Sequence, residues 1–197
     1  MSEGVWKCSG GGRLLNIVGV GICEGQITER ASKLISRAEV VFGSRRALML
    51  ASKFISGEFV EIKKFEDETY REIEKLAEKR NVVVLSTGDP MVAGLGKRLK
   101  GNVEPGISSV QLALARLKED LCSTVVIDAH ARKAEDELEL IERRNLLILA
   151  DRGFDPSLLG KRRAALIEDI CGNERISFGR AEELRISSDY SIVFVWK

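Results

Sequence analysis

The chain is short of the residues from which many active sites are built. Histidine occurs once in 197 residues, as His130, which excludes the histidine-rich ligand sets of zinc enzymes. The four cysteines, Cys8, Cys23, Cys122 and Cys171, are scattered with no close pair, and this spacing predicts a reduced chain without a structural metal. Charge of one sign is also lacking. Thirty-one basic residues against thirty acidic ones leave a net charge of +1, without the basic excess that a phosphate-neutralising protein carries. No apolar run approaches the length of a bilayer span, and Met1 to Arg13 holds no apolar core of the signal-peptide kind. These absences predict a cytoplasmic protein with neither nucleic acid nor membrane as partner.

What is present is a globular composition, 44% hydrophobic and 31% charged, of a length suited to one compact unit or two small ones. Residues 1–13, with three consecutive glycines, read as a flexible leader. From Leu14 to Val20 a β-branched run suits a buried parallel strand, and Ile27 to Arg37 carries apolar residues at helical spacing. Strands at Ala38 to Phe42, Phe59 to Ile62 and Asn81 to Leu85 alternate with helices at Ser44 to Phe54 and Glu66 to Arg80. Such alternation predicts a mostly parallel sheet with helices on its faces. A second lobe is expected over 105–197, after an N-terminal lobe over 14–104. It contains a helix at Ser108 to Leu117, an acidic helix at Ala134 to Arg144, and strands at Thr124 to Ile127 and Leu146 to Ala150. The closely spaced strands at Arg163 to Ile167, Arg175 to Phe178 and Ser191 to Trp196 favour antiparallel pairing. The fold class expected is two-lobed α/β, with a mixed second sheet.

Three loops could carry chemistry. Gly19 to Gly25 follows the first strand, where glycines admit a ligand close to the backbone; it reads equally as a tight turn or as an imperfect dinucleotide fingerprint. Ser86 to Gly94 follows a buried strand and holds Asp89 between Gly88 and Pro90, either as a ligand carboxylate or as a helix cap. Val103 to Val110, at the lobe junction, reads as a loop that puts Ser108 and Ser109 at the mouth of a helix, where N-capping by Ser108 is the plain reading and a polar ligand group the other.

Taken together, Val18 to Thr28, Ser86 to Gly94 and Glu104 to Gln111 resemble the tetrapyrrole (corrin/porphyrin) methylase family. The likeness runs from Leu14 to Lys197. Val41 to Leu48, Asp128 to Arg132 and Asn173 to Ile176 resemble the branch that methylates carbon 5 of a precorrin or cobalt-precorrin in cobalamin synthesis. The resemblance implies a methyltransferase holding S-adenosylmethionine in a cleft between two lobes, usually as a homodimer or higher homo-oligomer. Carried over by motif, the cofactor would meet Gly21, Ile22, Gly88, Asp89, Met91, Val92, Ser108 and Ser109. The sequence departs from the family at Ile22-Cys23-Glu24-Gly25, where a proline often stands.

Methyl transfer from a sulfonium needs alignment and exclusion of water rather than a protein nucleophile, so no catalytic residue and no protein metal site are expected. Cys23 then reads as small apolar filler. A tetrapyrrole substrate carries carboxylates, for which Arg45, Arg46, Arg132 and His130 are the candidate anchors; each reads otherwise as surface charge or, for His130, a hydrogen-bonded structural ring. Three alternatives stand beside this reading. A diphthine-synthase-type methylation is suggested by Asp89 to Ala93, an NADP-dependent oxidoreductase by Gly19, Gly21 and the Arg45–Arg46 pair, and the third is a non-catalytic binding domain.

Overall fold

The computed structural model describes residues 15–130 and 135–197. The expected leader and Arg132 lie outside these residues. The described chain divides into two compact units, one made of residues 15–20 and 27–106, the other of 21–26 and 107–197. The chain therefore passes between units three times, after Val20, after Gln26 and after Gly106. Sequence reading drew a single boundary between residues 104 and 105 and kept the whole first loop in the N-terminal lobe.

The first unit is built on five parallel strands: β1 (Leu15–Gly19), β2 (Val40–Gly43), β3 (Glu58–Glu61), β4 (Val82–Ser86) and β5 (Asn102–Glu104), in the order β3-β2-β4-β1-β5. β4, Val-Val-Val-Leu-Ser, is buried at every position, as a central strand covered on both faces must be. The edge strand β3 is exposed throughout and carries Glu58 and Glu61. Helices α1 (Glu29–Ser36) and α2 (Arg45–Ala51) cover one face, packing Ala31, Ile35, Ala47 and Leu48 on Val18, Val41, Val83 and Leu85. Helix α3 (Asp67–Leu76) covers the other, with Tyr70 and Ile73 against Ile17, Val82 and Val84. Thr28 and Ser44 begin α1 and α2 by accepting hydrogen bonds from the amides of Ala31 (3.0 Å) and Ala47 (3.3 Å). After β1 the chain moves toward β2, and after β4 it moves the opposite way, toward β5. A reversal of this kind opens a crevice at the carboxyl ends of two neighbouring strands, here β1 and β4.

The second unit is a mixed sheet of β6 (Thr124–Asp128), β7 (Asn145–Ala150), β8 (Arg163–Glu168), β9 (Arg175–Arg180) and β10 (Ser191–Val195), ordered β6-β7-β10-β8-β9. β6 and β7 are parallel; β10 runs antiparallel to both β7 and β8, and β8 to β9. One face buries Ile127, Leu146, Ile148, Leu166, Val193 and Val195. Helix α4 (Ser109–Leu117) is tied to the sheet at its far end, where Arg116 pairs with Glu174 (2.8 Å) and the Trp196 indole donates to Glu119 (2.6 Å).

Two expectations are corrected. Val103 and Glu104, expected in a loop, belong to β5, which is only three residues long with two of them polar, too short for periodicity to register. The acidic segment Glu135–Glu142 forms 3₁₀ turns rather than an α-helix, and its face is not wholly solvated, since Leu138 and Ile141 enter the core. A 3₁₀ turn advances three residues, which brings those two apolar positions into line.

Candidate functional site

The carboxyl ends of β1, β4 and β5 meet with almost no room for side chains. A Cβ built on Gly19 would stand 2.6 Å from both the Gly106 amide nitrogen and the Gly88 carbonyl oxygen, and one on Gly106 would lie closer still to that oxygen. Gly19 and Gly106 require glycine because main chain packs on main chain. The Val20 amide donates to the Ser86 carbonyl (3.0 Å), carrying the β1–β4 pairing one step past the strand.

From this knot the second loop departs. Gly88 takes φ +74° and Ala93 φ +49°, so the turn is bent at both ends through the left-handed region. Asp89 organises it: one carboxylate oxygen accepts from the Met91 amide (2.7 Å) and the other from the Gly106 amide (3.1 Å). The carboxylate thus ties the loop after β4 to the loop after β5. Each oxygen keeps a second lone pair for another donor. Pro90 is buried, Val92 half-buried, and Met91 is 51% exposed.

The first loop belongs to the second unit. Gly21 (φ +75°) and Gly25 (φ +83°) turn the chain around the side chain of Gln26, whose carbonyl oxygen accepts from the amides of Ile22 (2.9 Å) and Cys23 (3.0 Å). A Cβ on Gly21 would run into the Gln26 Cβ at 2.5 Å, so the glycine is required by what its own loop encloses. Cys23 is not apolar filler: it forms a disulfide with Cys171, and Gln26 Nε2 donates to its sulfur at 3.2 Å. The expectation that no two cysteines pair fails at this point, because a sequence separation of 148 hides the approach from any spacing argument.

In the third loop Ser108 is 3% exposed and fully engaged in a capping box with Gln111. Its hydroxyl donates to Gln111 Oε1 (2.7 Å) and accepts from the Gln111 amide (3.3 Å). The Ser109 hydroxyl, half-buried, makes no hydrogen bond among the described residues. Glu104, at the end of β5 and 8% exposed, pairs with Arg30 (2.8 Å).

The anchor candidates fall in different places. Arg45 (exposed) and Arg46 (half-buried) open α2 just past β2, at the same edge of the parallel sheet as the loops after β4 and β5. His130 follows β6 in the other unit, its Nδ1 3.1 Å from Asp128 Oδ1, which also accepts the His130 amide (3.2 Å). Sequence reading missed Gln26 and Glu104 as organisers. The Ser108-x-x-Gln111 spacing carried a capping-box signal; nothing comparable marked Gln26. Among the described residues no group of His, Cys, Asp or Glu is arranged to hold a metal ion, and no helix is long and apolar enough to cross a membrane.

A glycine knot at a topological switch point, followed by a Gly-Asp-Pro turn, stands at the carboxyl ends of the strands, where open α/β sheets take their ligands. The chain belongs to the tetrapyrrole (corrin/porphyrin) methylases, whose family model matches residues 14–180. Among its relatives is a probable cobalt-precorrin-7 C(5)-methyltransferase from Methanocaldococcus jannaschii, 28% identical over 92% of this chain and 96% of that protein. The crystal structure of the cobalamin-biosynthesis precorrin-6Y methylase from Archaeoglobus fulgidus superposes with a TM-score of 0.83 at 46% identity, covering 93% of this chain and 97% of that one. A uroporphyrin-III C-methyltransferase from Thermus thermophilus, complexed with S-adenosylhomocysteine, shares the fold at a TM-score of 0.72 and 22% identity, over 91% of this chain and 96% of that one.

Proposed function

We propose that the protein is an S-adenosylmethionine-dependent C-methyltransferase acting on a precorrin or cobalt-precorrin of cobalamin synthesis, at ring carbon 5. The observation that carries this reading is the 46% identity, across nearly the whole chain, to the Archaeoglobus fulgidus precorrin-6Y methylase. Family membership leaves the NADP reading without support, since it used only the first glycine loop and two arginines. The diphthine-type reading rested on Asp89 to Ala93 alone, and the relatives at greater identity favour a corrin substrate.

The residues present suit a nucleoside sulfonium. Gly88, at positive φ, offers main chain without a side chain of its own, and Gly21 sets the path of the first loop around Gln26. Asp89 would supply negative charge to a cationic donor, and its carboxylate fixes the turn. Ile22, Met91 and Val92 provide apolar surface, and Ser109 provides a hydroxyl at the head of α4. Ser108 contributes by building that helix start, since its own hydroxyl is engaged. S-adenosylmethionine, when bound, supplies a methyl group already activated by its sulfonium. The protein's own residues therefore bind, orient and exclude water, and none is needed as a covalent nucleophile.

Arg45, Arg46, Arg132 and His130 are the proposed carboxylate anchors. Two arginines in the first turn of α2 oppose the helix dipole at a cost of a few tenths of a kcal/mol each, an arrangement better suited to an anionic ligand than to the helix. Asp128 orients the His130 ring. Self-association belongs to the same proposal; it is supported by Met49 and Phe59, both 68% exposed, beside a groove of about 390 Å³ between α2 and β3. So does a cytoplasmic location, because a charged sulfonium donor does not cross a bilayer unaided.

Calorimetric titration of the purified protein with S-adenosylhomocysteine, and with NADPH in parallel, tests the reading. Saturable binding of the first alone is expected. Binding of NADPH alone would overturn it.

A further inference from the structure

Cys23 and Cys171 sit with their Cα atoms 5.4 Å apart, within the range a disulfide spans without moving backbone. Both sides of the junction are braced by polar contacts. On the loop side, Gln26 accepts the Ile22 and Cys23 amides and donates to the Cys23 sulfur. On the other side, Cys171 stands at φ +66° in a turn whose Asp169 is at φ +52°. The Cys171 amide donates to Glu174 (3.4 Å), which is itself held by Arg116 (2.8 Å). At the start of that turn the buried Glu168 accepts the amides of Ser187 (2.7 Å) and Ser188 (2.9 Å). The turn is thus the firmer partner, and the loop, with exposed Glu24 and Gly25, the looser one. Cys171 is exposed and Cys23 half-buried, so the first sulfur is open to a small thiol or disulfide.

We propose that Cys23 and Cys171 form a redox clamp that sets the mobility of the first glycine loop, and through it the affinity for the methyl donor. The second part rests on the reading that this loop contacts S-adenosylmethionine. Closing the clamp needs a small-molecule disulfide, such as oxidised glutathione. The Cys171 thiolate attacks one of its sulfurs, giving a mixed disulfide and one glutathione thiolate. The Cys23 thiolate then attacks the Cys171 sulfur and releases the second. Two cysteine thiols are oxidised, the glutathione disulfide is reduced to two thiols, and the two cysteine protons end on them. A closed clamp removes loop conformations in advance, so a ligand that orders the loop loses less entropy on binding. The coupling is reciprocal: the ligand must favour the closed clamp by the same factor by which the clamp favours the ligand.

The test uses the full chain in a Cys8→Ser, Cys122→Ser background, equilibrated in glutathione buffers of stated potential. Thiol alkylation with peptide mapping reads the link, hydrogen exchange over residues 20–27 reads loop mobility, and calorimetry reads S-adenosylhomocysteine affinity. Expected are a Cys23–Cys171 peptide, slower exchange in the oxidised form, and roughly tenfold tighter binding in that form. Saturating S-adenosylhomocysteine should then lower the midpoint potential of the pair by about 30 mV, the equivalent of tenfold for two electrons. Cys171→Ser should bind like the reduced protein and ignore the oxidant. Two free thiols after oxidising equilibration, or equal exchange in the two forms, would overturn the clamp. Equal affinity in two forms that both bind would overturn its effect on the donor. A redox-dependent exchange with no S-adenosylhomocysteine binding in either form supports the clamp and sinks the methyltransferase reading instead.

Discussion

Each unit contains a glycine-bearing loop closed by one polar side chain that takes two main-chain amides, but the chemistry differs. In the first unit Asp89 uses a charged carboxylate, and its two amide partners lie 2 and 17 residues along the chain. In the second unit Gln26 uses a neutral carbonyl, and both partners, Ile22 and Cys23, lie within its own loop. The carboxylate locks one loop to the next, whereas the amide only folds a loop upon itself. Charge-assisted bonds are the stronger, about 1.5–3 kcal/mol against about 1 kcal/mol for neutral ones. The loop braced by the weaker bonds is also the one that carries a second, covalent attachment.

The comparison can be broken at several places. Gly106→Ala should have the largest effect, because the added Cβ meets main chain that cannot give way. A loss of about 3 kcal/mol, roughly 6–12 °C in Tm, is expected by thermal denaturation. Gly25→Ala is the control, since open space surrounds it and only its φ of +83° resists; about 1 kcal/mol is expected there. Equal losses in the two variants would show that the knot does not need close approach.

Next comes Asp89→Ala, which removes two charge-assisted bonds. About 2 kcal/mol of stability should go, with S-adenosylhomocysteine affinity falling at least about tenfold while the unit remains folded. Unchanged affinity by calorimetry would remove Asp89 from the donor site. Gln26→Ala should cost about 1 kcal/mol, and hydrogen exchange should rise at Ile22 and Cys23 and not at Met91. Matched stability losses for Asp89→Ala and Gln26→Ala would erase the distinction between charged and neutral braces.

The smallest effect belongs to Arg116→Ala. The hydrogen bond from Arg116 is the main cause holding the Glu174 carboxyl below its usual range; burial acts the other way, and the Cys171 amide adds to the lowering. A depressed carboxylate stabilises the fold above its unfolded pKa and loses that contribution as pH falls through the folded value. The gap between wild type and variant should therefore be constant from neutral pH to about pH 5 and close below it. Arg116 is 39% exposed, so the gap itself should stay under about 1 kcal/mol in urea titrations.

Much of the first unit was legible in the sequence because buried parallel strands have a plain signature. Val82 to Leu85 and Asn16 to Gly19 read as strands from β-branched runs alone, and glycines mark where each run ends. The antiparallel close of the second unit followed from the short spacing of its strands. What stayed hidden is long-range or too brief. Asn102–Glu104 pairs with β1 only because Gly106 and Gly19 fit together, a tertiary fact. The approach of Cys171 to Cys23, and the part Gln26 plays as a brace, depend on turns that no periodicity announces. The identities of Asp89 and Ser108 stood out early; that the Ser108 hydroxyl is occupied by Gln111 did not.

The three passages of the chain between units bear on how the protein is made. Residues 21–26 are synthesised well before residues 107–197, yet they belong with them, and their covalent partner is Cys171. The parallel sheet can close once Gly106 has emerged, because its five strands are then all present. The first glycine loop cannot. It must wait until Cys171 has been made, so of the three glycine-bearing loops the first to be translated is the last to be finished. A gene split after Gly106 would leave those six residues on the wrong fragment, and the two halves should recover function only when mixed.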